Sequence, residues 1–174
     1  MYIMKVRILF LICFLSITCL LNAADKPVIQ IHTDNSSLIF RVADNGRLYQ
    51  SYLGKKLNHE ADISHLPQGT EAYITHGMED YFEPAIHILH NDGNPSLLLK
   101  YVSHETKAVS QGVNETIITL GDDKYPVTVK LHYVTYPAED IIKTYTEISH
   151  KEKKPVVLHQ YASSCLLYTS DAAD

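Results

Sequence analysis

Apolar and polar residues alternate along most of this chain, and the clearest case is Val127, Val129, Leu131 and Tyr133 set against Thr128, Lys130 and His132. A period of two sends successive side chains to opposite faces, which predicts a half-buried antiparallel strand over residues 127–133. Leu38, Phe40 and Val42 alternate in the same way with Ile39 and Arg41. Asp44-Asn45-Gly46 then supplies residues that tolerate positive φ, and an apolar run returns over 48–53. That combination is a hairpin signal. Further strands are expected at 28–32, 85–90, 97–102, 113–120, 141–149 and 156–162, separated by clusters of Gly, Pro, Asn and Asp. No stretch keeps a helical period over three turns. Short strands with turn chemistry between them predict an all-β fold, a large antiparallel β-sandwich, in preference to any α/β architecture. Residues 58–80, centred on Pro67-Gln68-Gly69, read as one long loop. With no repeat, low-complexity stretch or linker, a single domain is expected.

The two ends stand apart from this pattern. Lys5 and Arg7 precede an apolar run over 8–21 and the small pair Ala23-Ala24, the layout of a secretory signal peptide over residues 1–24. The run is short for a membrane span, which needs about 20 residues; retention as an N-terminal anchor is the alternative, and a lipoprotein signal at Cys19 ranks below both. At the other end, residues 165–174 resemble the translation of an adapter used in preparing sequencing libraries and are expected to be non-native. A native strand with an acidic tail is the competing reading. Residues 25–164 remain, 140 in all, enough for one domain with a real core.

All three cysteines, Cys13, Cys19 and Cys165, lie outside that stretch, so neither disulfides nor thiol chemistry are expected in it. Secretion without cysteine suits a bacterial periplasmic or secreted protein. Beyond residue 24, 13 basic residues stand against 20 acidic ones, a net charge of −7 with histidines neutral. Such a balance argues against nucleic acid, or an anionic membrane after signal cleavage, as a partner. Neutral sugars are compatible with it, as are many other molecules.

Candidate chemistry is sparse. Ten histidines invite a metal reading, but His87 and His90, three apart in a strand, point to opposite faces, while His132, His150 and His159 occur singly. Each reads as a surface or hydrogen-bonded histidine. Glu79, Asp80 and Glu83 form an acidic knot beside Tyr81 and Phe82; paired carboxylates can hydrolyse glycosides, yet proximity in sequence does not supply the geometry. A solvated loop is the expected role. Ser103, His104 and Glu105 are the residue types of a hydrolytic triad, but neighbours in extended chain cannot point at one another, so the cluster is expected to order a strand end. The sequons at Asn35 and Asn114 carry little weight in a bacterial product. No phosphate loop, nucleophile elbow or paired-cysteine motif occurs. No catalytic, substrate-binding or metal-binding residue and no cofactor is assigned.

Three stretches, taken in order, resemble a known family. Residues 48–57, LYQSYLGKKL, match an early hairpin whose apolar residue precedes Gly-Lys; here Leu53 stands where Trp or Phe is usual. Residues 81–107 match a Pro-Ala strand, the turn Asn91-Asp92-Gly93-Asn94-Pro95, and a strand ending in Ser103-His104. Residues 128–164 match two long strands, with Tyr133 to Tyr136 before a turn and Ser149-His150-Lys151 leading into the final strand. The family is that of bacterial α-galactosidases of glycoside hydrolase family 36, and the likeness is to their N-terminal β-sandwich domain. It implies a supersandwich of the galactose-mutarotase type. It also implies a retaining hydrolase of terminal α-galactosides whose two catalytic aspartates lie on a later barrel absent from this chain, so that this fragment is inert. A galactose-containing oligosaccharide or polysaccharide would meet that barrel; in some members a residue of the N-terminal domain reaches a substrate pocket, and the resemblance puts such a contact in the 58–80 loop, at Asp62, where this loop is short and departs from the family's pattern. A homo-oligomer is left open. The two competing readings are a free-standing carbohydrate-binding module and a mutarotase-like sandwich with convergent His and Glu.

Overall fold

The structure, a computed structural model, describes residues 26–77, 83–163 and 166–168. Among them are ten strands and one short helix: β1 (Val28–His32), β2 (Ser36–Val42), β3 (Leu48–Lys55), α1 (Glu60–Ser64), β4 (Thr70–Glu71), β5 (Ile86–Leu89), β6 (Leu99–Ser110), β7 (Val113–Asp122), β8 (Val127–Tyr136), β9 (Ile141–His150) and β10 (Val157–Tyr161). One sheet runs β1-β2-β3-β4, a second runs β6-β7-β8-β9, and β5 pairs with β10 in a small third sheet. All these pairings are antiparallel.

The alternation read from the sequence becomes the contact between layers. Leu38 and Phe40 of β2 and Ile29 and Ile31 of β1 share a buried cluster with Ile118 and Leu120 of β7 and with Val127, Val129, Leu131 and Tyr133 of β8. Full burial of each such side chain stabilises the fold by about 1.5–3 kcal/mol. The rings of Phe40 and Tyr133 meet across the layers at 5.1 Å, tilted by 45°. The expected hairpin at Asp44-Asn45-Gly46 forms between β2 and β3, with Gly46 at φ 79° and its N–H donating to Ala43.

Three expectations change. The strand predicted to stop at residue 102 continues as β6 to Ser110, carried by its ladder with β7 although its second half is exposed. The 58–80 segment is not one irregular loop. It holds α1 and β4, and within it Ala72, Tyr73, Ile74 and Thr75 are buried. Arg41, from the outer face of β2, donates to the carbonyl of Ile63 and so holds α1 against the sheet. Finally, β8 is not half-buried throughout: from Leu131 to Thr135 both faces are covered, because the outer face lies beneath side chains of its neighbours.

The turn at residues 91–95 joins strands of different sheets, since β5 pairs with β10 and β6 with β7. Its Gly93 has φ 84°, and Asp92 and Asn94 each accept a backbone N–H two residues on. At the far end of the described chain, Gln50 exchanges two hydrogen bonds with the backbone of Leu167.

Two glycines should separate backbone strain from collision. Gly93 at φ 84° has nothing within 4 Å of an added Cβ, whereas at Gly69 (φ 79°) that atom would lie 1.9 Å from the carbonyl oxygen of Gln50. Gly93→Ala is expected to cost about 1–2 kcal/mol, the left-handed penalty alone, and Gly69→Ala at least about twice that, since β3 must move. Equal losses in urea denaturation would contradict this packing.

Candidate functional site

The residue groups singled out by type disperse in the fold. Glu79 and Asp80, with Tyr81 and Phe82, lie outside the described residues. Glu83 is exposed and accepts from the Gln160 amide at 3.1 Å. Ser103, His104 and Glu105 do not end a strand: they sit within β6, opposite Thr119, Ile118 and Ile117 in turn. Alternate pointing keeps them apart, and His104 bonds the Tyr101 hydroxyl at 2.7 Å. Asp62 is exposed in the first turn of α1. His150 is exposed at the end of β9, and His87 and His159 come together with His76, which the sequence did not single out.

His90 is fully enclosed. Its Nδ1 faces a carboxylate oxygen of Glu152 at 2.6 Å, its Nε2 faces the Ser96 carbonyl at 3.1 Å, and the Tyr125 ring stacks on it at 3.6 Å. Burial opposes ionisation of Glu152, but the hydrogen bonds from His90 and from the Asn91 backbone and side chain outweigh it and hold the carboxyl below its ordinary range. The pair ties the 91–95 turn to the segment that leads into β10. Beside it, a cleft of about 200 Å³ is walled by Leu97, Leu98 and Tyr125, and the Asp122 carboxylate at its rim is already engaged by the N–H groups of Leu98, Lys124 and Tyr125.

Among the described residues, His and Glu converge on a sheet face at Glu115. The hairpin between β7 and β8 places Glu115 opposite Val134, hence diagonal to His132, and β9 sets Tyr145 directly opposite His132. Tyr145 and His132 Nδ1 both donate to one Glu115 oxygen, the latter at 2.9 Å, and Lys107 of β6 donates to the other at 2.9 Å. The rings of His132 and Tyr145 stack at 4.2 Å. Hydrogen bonds from Tyr145, Lys107 and His132, in that order of strength, pull the Glu115 carboxyl from 4.5 down to about 2, while the same carboxylate pushes the Tyr145 hydroxyl up. His132 Nε2 is buried without a hydrogen bond; the nearest carboxylate, on Glu147, is 3.7 Å away.

Hydrogen bonds hold the Glu115 carboxyl in its charged form on this sheet face. A general acid for glycoside hydrolysis needs a raised carboxyl pKa, and every displaced carboxyl among the described residues, on Asp44, Asp92, Glu115, Asp140 and Glu152, is displaced downward. Among the described residues no group of three or more His, Cys, Asp and Glu could hold a metal ion. Glu115, Tyr145 and Glu152 were not singled out from the sequence. The diagonal rule applied to the β7–β8 hairpin would have found the first, whereas Glu152 lies 62 positions from His90 and carries no local signal.

Known proteins resemble this chain in family and in fold. The model of the glycosyl hydrolase family 36 N-terminal domain matches residues 30–173. The α-galactosidase of Lactobacillus brevis superposes with a TM-score of 0.68 at 16% identity, over 81% of this chain and 24% of that one. The family 36 α-galactosidase AgaA of Geobacillus stearothermophilus, solved in complex with raffinose, gives a TM-score of 0.71 at 18% identity, over 79% of this chain and 24% of that one. The galactosidase domain of the α-galactosidase–sucrose kinase AgaSK gives 0.71 at 21% identity, over 80% and 24%. The chain thus spans about a quarter of the length of these structures. No curated protein matches it in sequence.

The Glu115 cluster sets an acid dependence of stability. Because the folded carboxyl titrates at about 2 and its ordinary value is 4.5, the folded state binds fewer protons between them. Its contribution is complete above 4.5 and is lost as pH falls toward about 2. Glu115→Gln should therefore cost about 1.5–3 kcal/mol at neutral pH and progressively less below 4.5. A pH-independent difference in melting temperature between the two proteins would contradict the assignment.

Proposed function

Since the chain belongs to the glycosyl hydrolase family 36 N-terminal domain family, we propose that it is the N-terminal β-sandwich portion of a secreted, retaining α-galactosidase whose catalytic aspartates lie on a barrel outside these residues. The family match over residues 30–173 carries the reading. Relatives of the same fold solved with raffinose and with stachyose support α-galactosides of that type as the substrates of the whole enzyme. The lowered carboxyls of Asp44, Asp92, Glu115, Asp140 and Glu152 support the division of labour, in which the sandwich holds these charges fixed and the proton transfers belong elsewhere. Export rests on the basic, apolar and small-residue succession in residues 1–24.

One observation favours a mutarotase-like activity instead, namely that His132 and Glu115 do converge on a sheet face. Proton shuttling at neutral pH needs groups poised near that pH. Glu115, held ionised at about 2 and 6% exposed, is poorly suited to the task.

The product of the complete reading frame is expected to release galactose from raffinose, with α-galactose as the first-formed anomer by NMR. The 174-residue chain alone should release none and should leave the interconversion of free galactose anomers at its spontaneous rate. Galactose release or accelerated anomerisation by this chain would overturn the proposal, and a first-formed β anomer would overturn its stereochemistry.

A further inference from the structure

β10 is laid on β5 with one residue out of step. Val157 and Leu158 pair with Leu89 and Ile88, then Gln160 and Tyr161 pair with His87 and Ile86, so that His159 and Gln160 together oppose His87. A bulge of this kind re-aims a side chain, and here the His159 ring comes to 4.8 Å from that of His87. From the segment after the Thr75–Ile86 bridge, the His76 ring stacks on His87 at 3.8 Å with 16° between planes. Three imidazoles from three segments therefore contact one another through His87.

We propose that this histidine row is an acid-operated latch, which holds β10 against β5 while the rings are neutral and releases it when they take up protons. Neutral rings stack favourably, whereas imidazolium charges at such a spacing repel. Among the described residues, the carboxylates that flank β5 and β10 are engaged elsewhere: Glu83, just before β5, is bonded by the Gln160 amide, and Glu152, before β10, by His90 and Asn91. Among the described residues the charges acting on His87 are those of His76 and His159. Burial first, then those two charges, hold its pKa below 6.5. The sign follows: the folded latch binds fewer protons than the opened one, so closure is complete above 6.5 and is lost as pH falls through the lowered value.

β10 is the partner that gives way. Ile86 and Ile88 of β5 are 0% and 1% exposed, while Val157, Leu158 and Tyr161 of β10 are 51%, 42% and 65% exposed. Beyond the ladder, the ties gather at the strand's C-terminal end: the Gln160 amide to Glu83 (3.1 Å) and to the Pro84 carbonyl (3.0 Å), Ala162 N–H to the Ala85 carbonyl (2.7 Å), the Tyr73 hydroxyl to the Ala162 carbonyl (2.8 Å) and the Thr146 hydroxyl to the Ser163 carbonyl (2.6 Å). Opening is expected to start at Val157 and to run toward the tether that Gln160 and Ala162 form. An element with little buried side-chain area is the kind that opens locally before the whole fold does.

Hydrogen exchange read by mass spectrometry on the 174-residue chain tests the latch. Between about pH 7.5 and about pH 5.5, after correction for intrinsic exchange, amides 157–161 are expected to lose protection while β8 keeps its protection. His159→Gln, at an exposed position, and His76→Asn should each cut that loss by at least about half. Equal protection of 157–161 at both pH values, an equal loss in β8, or an undiminished loss persisting in His159→Gln would overturn the proposal.

Discussion

Two sheets, each with one apolar face, have to hide those faces from water. In this chain they do so by turning the even positions of β2 toward the odd positions of β8. Phe40 against Tyr133 marks the register at which they lock, and because strand side chains repeat every second residue, that register decides both faces of β8 at once. With Leu131 and Tyr133 inward, His132 and Val134 must point outward. A slip of one residue would place an imidazole in the apolar layer and Tyr133 among the charges. The outer polar cluster thus depends on the inner packing: Glu115 meets His132 because Ile118 and Leu131 are both buried in the core.

The same geometry explains why an all-β fold was legible and its polar contacts were not. Strands with one apolar face announce themselves, as 28–32, 38–42 and 127–133 do, and turn residues at 44–46 and 91–95 marked real turns with glycines at positive φ. β6 was misread because after Val102 its side chains are exposed on both sides, so no alternation survives to report a strand that only its ladder to β7 maintains. Residues 58–80 were misread because a five-residue helix and a two-residue strand are too short to show a period. The buried pair His90–Glu152 and the β5–β10 pairing join residues more than 60 positions apart, where only the folded chain supplies the proximity. By contrast the argument that Ser103, His104 and Glu105 cannot form a triad needed nothing beyond strand geometry.

Functionally, the domain spends its ionisable groups on position. Glu152 fixes a turn, Glu115 accepts from Lys107, Tyr145 and His132 on a sheet face, and Asp140 accepts from Thr33 and Ser36 to hold the β8–β9 turn against the first sheet. Carboxylates engaged in this way are locked in the charged form, which is the opposite of what an acid catalyst needs. A scaffold with its charges so committed fits a family domain that accounts for about a quarter of the solved α-galactosidase chains it resembles.

The two layers are coupled through the Phe40–Tyr133 contact, and a double-mutant cycle reads that coupling directly. Phe40→Leu, Tyr133→Leu and the double variant, compared by urea denaturation, should be non-additive by about 0.5–1.5 kcal/mol, the range for an aromatic pair in contact. Strict additivity would mean that the rings do not meet and that the layers are not registered as described.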